Sequence, residues 1–213
     1  MIYCLCKKGN FSVFIMLLFS TNTFSQEMLK DLKLEKNTIY LFCRGTKAKS
    51  GLIAEQFNSN DKLITHVGIG YIDKKGLKIY NVTDCDTSKT ALLIDNLDSF
   101  VSNGTYYLSI WKYNNSKREY LKLKQLCSDF SKQKVYFDFS FTLNDTDTIL
   151  YCSEFCARIL RMINPVKFNF RPKELVLESY YQALLNRKQL IYYPVDFFEG
   201  SIYFNKIFET HLN

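Results

Sequence analysis

The stretch YCSEFCARIL, Tyr151–Leu160, contains two of the seven cysteines of this 213-residue chain. Apolar residues recur at helical spacing after it, and the polar run DTDTIL precedes it, so the pattern predicts a helix from about Cys152 to Ile163. A helix N-terminus stabilises a thiolate through its free backbone N–H groups and its dipole. Cys152 is therefore a candidate nucleophile, although a cysteine in such a place is more often a simple core residue.

The neighbours of Cys152 have candidate roles of their own. The backbone N–H groups at Cys152, with Ser153 and Tyr151, are the candidate oxyanion and pocket groups, because free N–H groups in the first turn can face a developing negative charge. Capping is the alternative role for Ser153, as is core packing for Tyr151. Cys156, one turn further along, is expected in the core.

A thiol nucleophile needs a base, and the chain has only two histidines. His211 is third from the end, where chains commonly fray, and is expected to take no part. His66 opens the strand-like run HVGIGYI, in which Gly68 and Gly70 share its face. Glycine in a strand often marks a close approach by a ligand or another backbone, so His66 is predicted to stand beside a cleft. A surface histidine with no catalytic role is the alternative.

The group that orients His66 depends on a predicted β-hairpin, ITHVGIGYID-KKG-LKIYNVTD. A two-residue turn at Lys74-Lys75 puts Thr83 opposite His66 and makes Asn81 its diagonal neighbour on the same face. A three-residue turn would bring Asp84 opposite His66 instead. Asn81 is the preferred partner, and Asp84 and Thr83 are the alternatives.

The remaining pattern predicts an α+β fold, a small antiparallel sheet with helices packed on it. Further strands are predicted over 37–45 and 105–113, and an amphipathic helix over 116–134. Residues 137–148 are predicted as a loop, another helix is predicted after Pro172, and the chain closes with extended, aromatic-rich structure.

The first 25 residues have the pattern of a secretory signal. Lys7 and Lys8 precede an apolar run from Phe11 to Phe19, and small and polar residues follow as far as Ser25. The run is shorter than the ~20 apolar residues of a membrane span, and an uncleaved anchor is the alternative. We predict a signal peptide over 1–25 and a single domain over 26–213, periplasmic or secreted, with no integral membrane span.

The charge of the chain predicts some partners and excludes others. Residues 1–25 hold two lysines and no acid, so their removal lowers the formal charge from +7 to +5. This charge is spread along the chain, which allows peripheral contact with an anionic surface, whereas nucleic-acid binding calls for a denser basic run.

Neither the cysteines nor the acidic residues form a metal motif. The chain has no CxxC and no HxxxH, and Asp145 and Asp147 in LNDTDT lack the glycine and distal acid of a calcium loop. We therefore expect no metal and no other cofactor. Cys43, Cys85 and Cys127 could pair in an oxidising compartment, and the sequence does not say which.

Two motifs in order resemble a known family. A strand beginning His-Val-Gly-Ile, followed much later by Tyr-Cys-Ser-Glu at a helix start, resembles the circularly permuted papain-like cysteine hydrolases of the YiiX/YebB type, relatives of the NlpC-type cell-wall peptidases. The family's third residue is usually Glu, and its position falls on Asn81 here. Phe155-Cys156 also replaces the more usual Leu-Val. Three flanking segments add to the resemblance, NTIYLFCRG, FDFSF and YYPVDFF.

The resemblance implies a permuted papain-like fold, in which a small sheet or half-barrel packs against helices and the nucleophile stands at a helix N-terminus. It implies an exported cysteine peptidase or amidase, in which Cys152 and His66 form a thiolate–imidazolium pair oriented by Asn81. The implied substrates are amide bonds of peptidoglycan stem peptides. A lipid-directed amidase, thioesterase or acyltransferase on the same fold is one alternative, and a non-catalytic cell-wall-binding domain is another.

Overall fold

The computed structural model describes residues 32–84, 90–101, 104–143 and 146–212. The chain divides into two compact units, Met1–Leu34 and Glu35–Asn213. All the helices and strands of the described residues belong to the second unit. The predicted signal peptide, Cys85 and Asp145 lie outside the described residues.

A six-stranded sheet is the main element of the fold, and each of its neighbouring strands is antiparallel to the next. Its strands, in spatial order, are β10 (Phe204–His211), β5 (Thr105–Tyr113), β1 (Ile39–Thr46), β2 (His66–Asp73), β3 (Gly76–Val82) and β4 (Leu92–Asp95). The central strand β1 is an almost continuous apolar run that is buried along most of its length, as expected for a strand covered on both faces.

The hairpin β2–β3 has the predicted two-residue turn. Asp73 pairs with Gly76, which leaves Lys74 and Lys75 as the loop. Gly76 has a φ of +116°, a backbone conformation that favours glycine. The turn fixes the register of both strands, and this register confirms the predicted diagonal placement of Asn81 relative to His66.

The described residues contain five helices. These are α1 (Lys49–Phe57), α2 (Leu97–Phe100), α3 (Lys117–Phe130), α4 (Cys152–Ile163) and α5 (Ser179–Leu185). Helix α4 begins and ends at the predicted residues and packs on β2 and β3 and against α3. Nine of its twelve residues are buried, because the sheet covers one side and a second apolar cluster contacts another. The structure confirms the α+β class, with Cys152 as the first residue of the central helix.

The helix predicted after Pro172 is wrong over its first part. Residues Lys173–Val176 form strand β8, which pairs antiparallel with β9 (Gln189–Tyr192), and only Ser179–Leu185 between them is helical. Alternate residues of β8 are exposed and half-buried, the period of a strand. The pairing partner lies 13 or more residues further along the chain, which local periodicity does not reveal.

The predicted loop over 137–148 is held by a short parallel ladder. Strand β6 (Tyr136–Phe137) pairs with β7 (Ile149–Leu150), and β7 leads through Tyr151 directly into α4. The chain therefore enters helix α4 from a fixed strand.

The expectation that His211 frays is wrong. His211 is in β10 and pairs with Tyr107 of β5, and the two rings are 5.4 Å apart between centroids. Its strand lies at the edge of the sheet beside β5, and His211 does not line the cleft that contains Cys152.

Cys43 and Cys127, two of the three cysteines considered for pairing, are buried free thiols. Within the described residues, none of the helices combines the length and the apolar character needed to cross a membrane.

Candidate active site

The fold brings Cys152 and His66 together in one cleft. Cys152 is the first residue of α4 and His66 the first residue of β2, and both are at most one-tenth exposed. One turn into α4, the Cys156 thiol donates to the Val67 carbonyl over 3.8 Å, which ties the helix to the strand beside His66. Cys156 is fully buried, as predicted.

Asn81 is the partner of His66. Its Oδ1 lies 2.9 Å from Nε2 of the imidazole, and the amide is fully buried. Residue 68 lies between them on the face of the hairpin, and a Cβ there would come within 3.0 Å of the Asn81 Cβ. The absence of a side chain at Gly68 therefore leaves Asn81 room to reach the ring. The alternatives, Thr83 and Asp84, line the cleft instead.

The orientation of the Asn81 amide fixes the tautomer of His66. The other end of the amide, Nδ2, donates to Oδ2 of Asp95 over 2.9 Å, and an ionised carboxylate can only accept. Oδ1 must therefore face His66, so Nε2 carries the proton and Nδ1 keeps its lone pair. A neutral imidazole with Nδ1 free is a base that can accept the proton of a thiol.

The electrostatics of the site favour a neutral pair over the expected thiolate–imidazolium pair. Burial lowers the pKa of His66 to about 3, the positive charge of Arg44 acts in the same direction, and the Asn81 hydrogen bond opposes both. Burial also raises the pKa of the Cys152 thiol, against hydrogen bonds to the backbone of Val67 and Ser153 and the charge of Arg44. Burial therefore favours the uncharged form of both groups.

Arg44, which the sequence analysis did not single out, supplies a positive charge next to His66. It pairs directly with His66 across β1 and β2. Its guanidinium lies 4.8 Å from the centroid of the Phe100 ring and donates to the Phe100 carbonyl, and the same ring is 5.9 Å from the imidazole. A charged residue at the end of the otherwise apolar run YLFCR was the available signal in the sequence.

We expect the charge of Arg44 to be measurable in the reactivity of Cys152. In Arg44→Gln, the loss of the cation raises the pKa of the thiol, so alkylation by iodoacetamide at pH 8 becomes slower, whereas Arg44→Lys retains most of the wild-type rate. The pH dependence of alkylation, followed by peptide mass spectrometry at Cys152, measures this. A wild-type thiol pKa well below the ordinary ~8.5, rising in His66→Ala, would show the ion pair instead.

Ser153 and Tyr151 both hold the wall of the cleft. The Ser153 hydroxyl donates to the Tyr193 carbonyl over 2.7 Å, and the Tyr193 N–H donates to the Tyr151 hydroxyl over 2.8 Å. These bonds fix residues 192–195 across from the first turn of α4. The Ser153 hydroxyl is thus engaged with the backbone, while the N–H groups of the first turn stand beside the cleft.

Glu154, the fourth residue of YCSE, lies behind Cys152, outside the cleft. Its carboxylate is fully buried and forms an ion pair of 2.7 Å with Arg158, one turn further along α4. Burial raises the pKa of Glu154 to about 7, against the charge of Arg158. It does not line the cleft that contains Cys152.

Aromatic rings dominate the lining of the cleft. Apart from Cys152, His66, the carboxylate of Asp84 and a few hydroxyl side chains, its walls are apolar. The rings are those of Phe57, Phe137, Phe141, Tyr151, Tyr192 and Tyr193. A lining of this kind matches an apolar ligand better than a polar peptide.

The Pro-Asp segment near the end of the chain anchors the loop that leads into β2. The carboxylate of Asp196, which is 2% exposed, accepts the backbone N–H groups of Ser59, Asn60 and Asp61 over 2.5–3.1 Å. Because this loop directly precedes the His66 strand, Asp196 helps to set where that strand begins.

The chain shares its fold with a solved structure. The crystal structure of the metalloprotein YiiX from Escherichia coli O157:H7, described as DUF1105, has a TM-score of 0.60 with this chain. The two sequences are 13% identical, and the match covers 82% of this chain and 98% of YiiX. No protein-family profile matches the sequence, and no curated protein matches it significantly. At this identity the likeness establishes a YiiX-like fold.

The word metalloprotein describes YiiX, and the described residues of this chain do not offer a matching ligand set. Among them, no group of three or more His, Cys, Asp or Glu side chains is placed to hold a metal ion. In the cleft, Nε2 of His66 is already bonded to Asn81, which leaves one imidazole nitrogen, one thiol and the carboxylate of Asp84. These three groups are not placed to hold one metal ion, so the described residues of the cleft do not fit a zinc centre.

Proposed function

We propose that this chain is a cysteine acyl hydrolase with the permuted papain-like arrangement, in which Cys152 is the nucleophile and His66 the general base. The proposal rests on how Cys152, His66 and Asn81 are arranged at the cleft. A cysteine at the first turn of a buried helix shares the cleft with a histidine whose tautomer is fixed by Asn81. The ordered motifs and the YiiX-like fold support the same reading.

The proposed reaction has two steps. The thiol proton of Cys152 passes to Nδ1 of His66 as sulfur forms a bond to the carbonyl carbon of an amide or ester, and backbone N–H groups of the first turn of α4 stabilise the oxyanion. The imidazolium then gives this proton to the leaving amine or alcohol, and the bond to the leaving group breaks. In the second step water attacks the thioester, His66 accepts its proton, and the acid and free thiol are released.

The lining of the cleft favours an acyl substrate over a peptidoglycan stem peptide. The aromatic walls offer apolar contacts to a hydrocarbon chain, and each methylene removed from water contributes about 0.8 kcal/mol. A stem peptide carries charged and amide groups that these walls would leave without partners. We therefore favour the lipid-directed alternative, an amidase, thioesterase or acyltransferase, and export of the chain would give it access to lipids outside the cytoplasm.

A series of p-nitrophenyl esters tests this substrate class. We expect kcat/KM to rise about 100-fold or more from acetyl to octanoyl, because the longer chain removes more apolar surface from water. Phe141→Ala, which shortens a lining ring, should flatten the rise. Phe139→Ala is the matched control, since Phe139 belongs to the same segment but is 67% exposed and outside the lining. Two results together would favour the peptidase: cleavage of wall fragments, and a kcat/KM for the esters that does not depend on chain length.

A further inference from the structure

Four neighbouring strands each contribute one polar side chain to a row that ends at opposite charges. Arg44 of β1 is directly opposite His66 of β2, and Asn81 of β3 is the diagonal neighbour of His66. The next strand repeats the diagonal step, since Asp95 of β4 pairs with Ile79, two residues from Asn81. Directly paired and diagonal residues share a face of the sheet. A polar row thus crosses four strands, with a cation at one end and a carboxylate at the other.

Asp95 determines which way the buried amide of Asn81 points. Asn81 has two ends that can exchange by rotation of the side chain, and only the Oδ1 end leaves the His66 proton on Nε2. The Asp95 carboxylate accepts from Nδ2 over 2.9 Å and offers no proton to Oδ1. Rotation of the amide would place Oδ1 of Asn81 against the Asp95 carboxylate, which are both acceptors. It would also turn the Nδ2 donor towards Nε2 of His66.

The charge of Asp95 is not placed to stabilise an imidazolium. His66 is faced by Arg44 from β1 and Cys152 from α4, Asp84 lines the same cleft after β3, and Asp95 lies one residue further away behind Asn81. The adjacent cation opposes a second positive charge on the ring, and burial holds the pKa of His66 far below neutral. A neutral imidazole can accept a proton only at the nitrogen that carries none, so its action as a base depends on the tautomer.

We propose that Asp95 is a positioning residue for the acyl-transfer reaction, one that holds Asn81 and thereby keeps His66 in the Nε2–H tautomer with Nδ1 free to accept the Cys152 proton. This rests on the proposed function for its kinetic consequence. The statement about the tautomer stands on the hydrogen bonds alone.

Kinetics of a reconstitution series test the proposal. Asp95→Ala should lower kcat about 10- to 100-fold with little change in KM, a size usual for a residue that orients another. The double variant Asn81→Asp/Asp95→Asn reverses the two groups but keeps both bonds, because an aspartate at 81 accepts from His66 and from the amide at 95. It should recover kcat to within a few-fold of wild type. Asn81→Asp alone, with two facing carboxylates, should not.

The pH profile separates positioning from a structural role. In the double variant a carboxylate lies beside His66, so the acidic limb of kcat/KM should move to higher pH by at least about one unit. Asp98→Ala is the control, an exposed acid in the first turn of α2 that should leave kcat and the profile unchanged. An active Asp95→Ala with wild-type kcat, or a double variant no better than Asn81→Asp, would overturn the proposal.

Nitrogen NMR gives an answer that needs no activity. The chain has two histidines, so a ¹⁵N-histidine spectrum resolves His66 against His211 as an internal reference. We expect the Nε2–H tautomer in the wild type and a mixture, or the Nδ1–H tautomer, in Asp95→Ala. An unchanged Nε2–H tautomer in that variant overturns the proposal. An inactive wild type with the expected tautomer change contradicts the hydrolase and leaves the positioning by Asp95 supported.

Discussion

Replacing Cys152 by alanine is expected to abolish acyl transfer, with kcat lowered at least about 10⁴-fold, because nucleophile removal leaves only the catalysis from binding and oxyanion stabilisation. The fold should tolerate the change, since Cys152 is a small side chain at the edge of the cleft. Hydrolysis of octanoyl ester measures the loss. Mass spectrometry of the wild type during turnover should show an octanoyl group on the Cys152 peptide, and this adduct should be absent from the variant.

Cys156→Ala is the matched control for this experiment. Cys156 is on the same helix, one turn further along, and is fully buried against Val67. Its replacement should cost about 1 kcal/mol of stability through the lost packing and leave kcat within a few-fold of wild type. Full activity in Cys152→Ala would refute the proposed nucleophile. Retained binding to cell-wall material by that variant, with no wild-type turnover, would favour the binding domain.

The largest expected effect on stability is that of Asp196→Ala. Its carboxylate accepts three backbone N–H groups from residues 59–61 while almost wholly buried, and hydrogen bonds to a charged group contribute about 1.5–3 kcal/mol each. An alanine leaves those donors without their partner at the entry to the His66 strand. We expect the free energy of unfolding, measured in urea, to fall by about 3–5 kcal/mol.

The variant Asp196→Asn separates the effect of the side chain's charge on stability from the effect of its shape. The amide fills the same space but has one acceptor oxygen, and its NH₂ group would face a backbone donor. The decrease in the free energy of unfolding should therefore lie between zero and the decrease in Asp196→Ala. Equal stability of Asp196→Ala and wild type would mean that water replaces the carboxylate at this loop.

The parts of the fold and site that the sequence predicted are those that depend on short-range patterns. The β2–β3 register follows from two residues in a turn, so spacing made Asn81 the preferred partner of His66 and left Thr83 and Asp84 as alternatives. Helix α4 has a strong apolar periodicity and a polar run before it, so its first residue, Cys152, could be located. Both predictions needed no knowledge of distant segments.

The parts that the sequence did not predict depend on pairing between distant segments. Strand β8 is defined by its partner β9, Asp95 reaches Asn81 only because β4 pairs with β3, and Arg44 meets His66 through the β1–β2 register. The preference of both groups for their uncharged forms likewise depends on the packed site. Burial penalises charge on both groups, and burial is known only once helix, sheet and the aromatic wall are in place.

The short parallel ladder between β6 and β7 makes the position of Cys152 independent of one wall of the cleft. The ladder joins residues 136–137 to residues 149–150, and Phe141, which lies between them in the chain, lines the cleft. Strand β7 then runs directly into the helix that begins at Cys152. A segment fixed at both ends can be lengthened or rewritten at a small entropic cost. We therefore expect changes in the length or sequence of this segment to alter that wall of the cleft without moving Cys152.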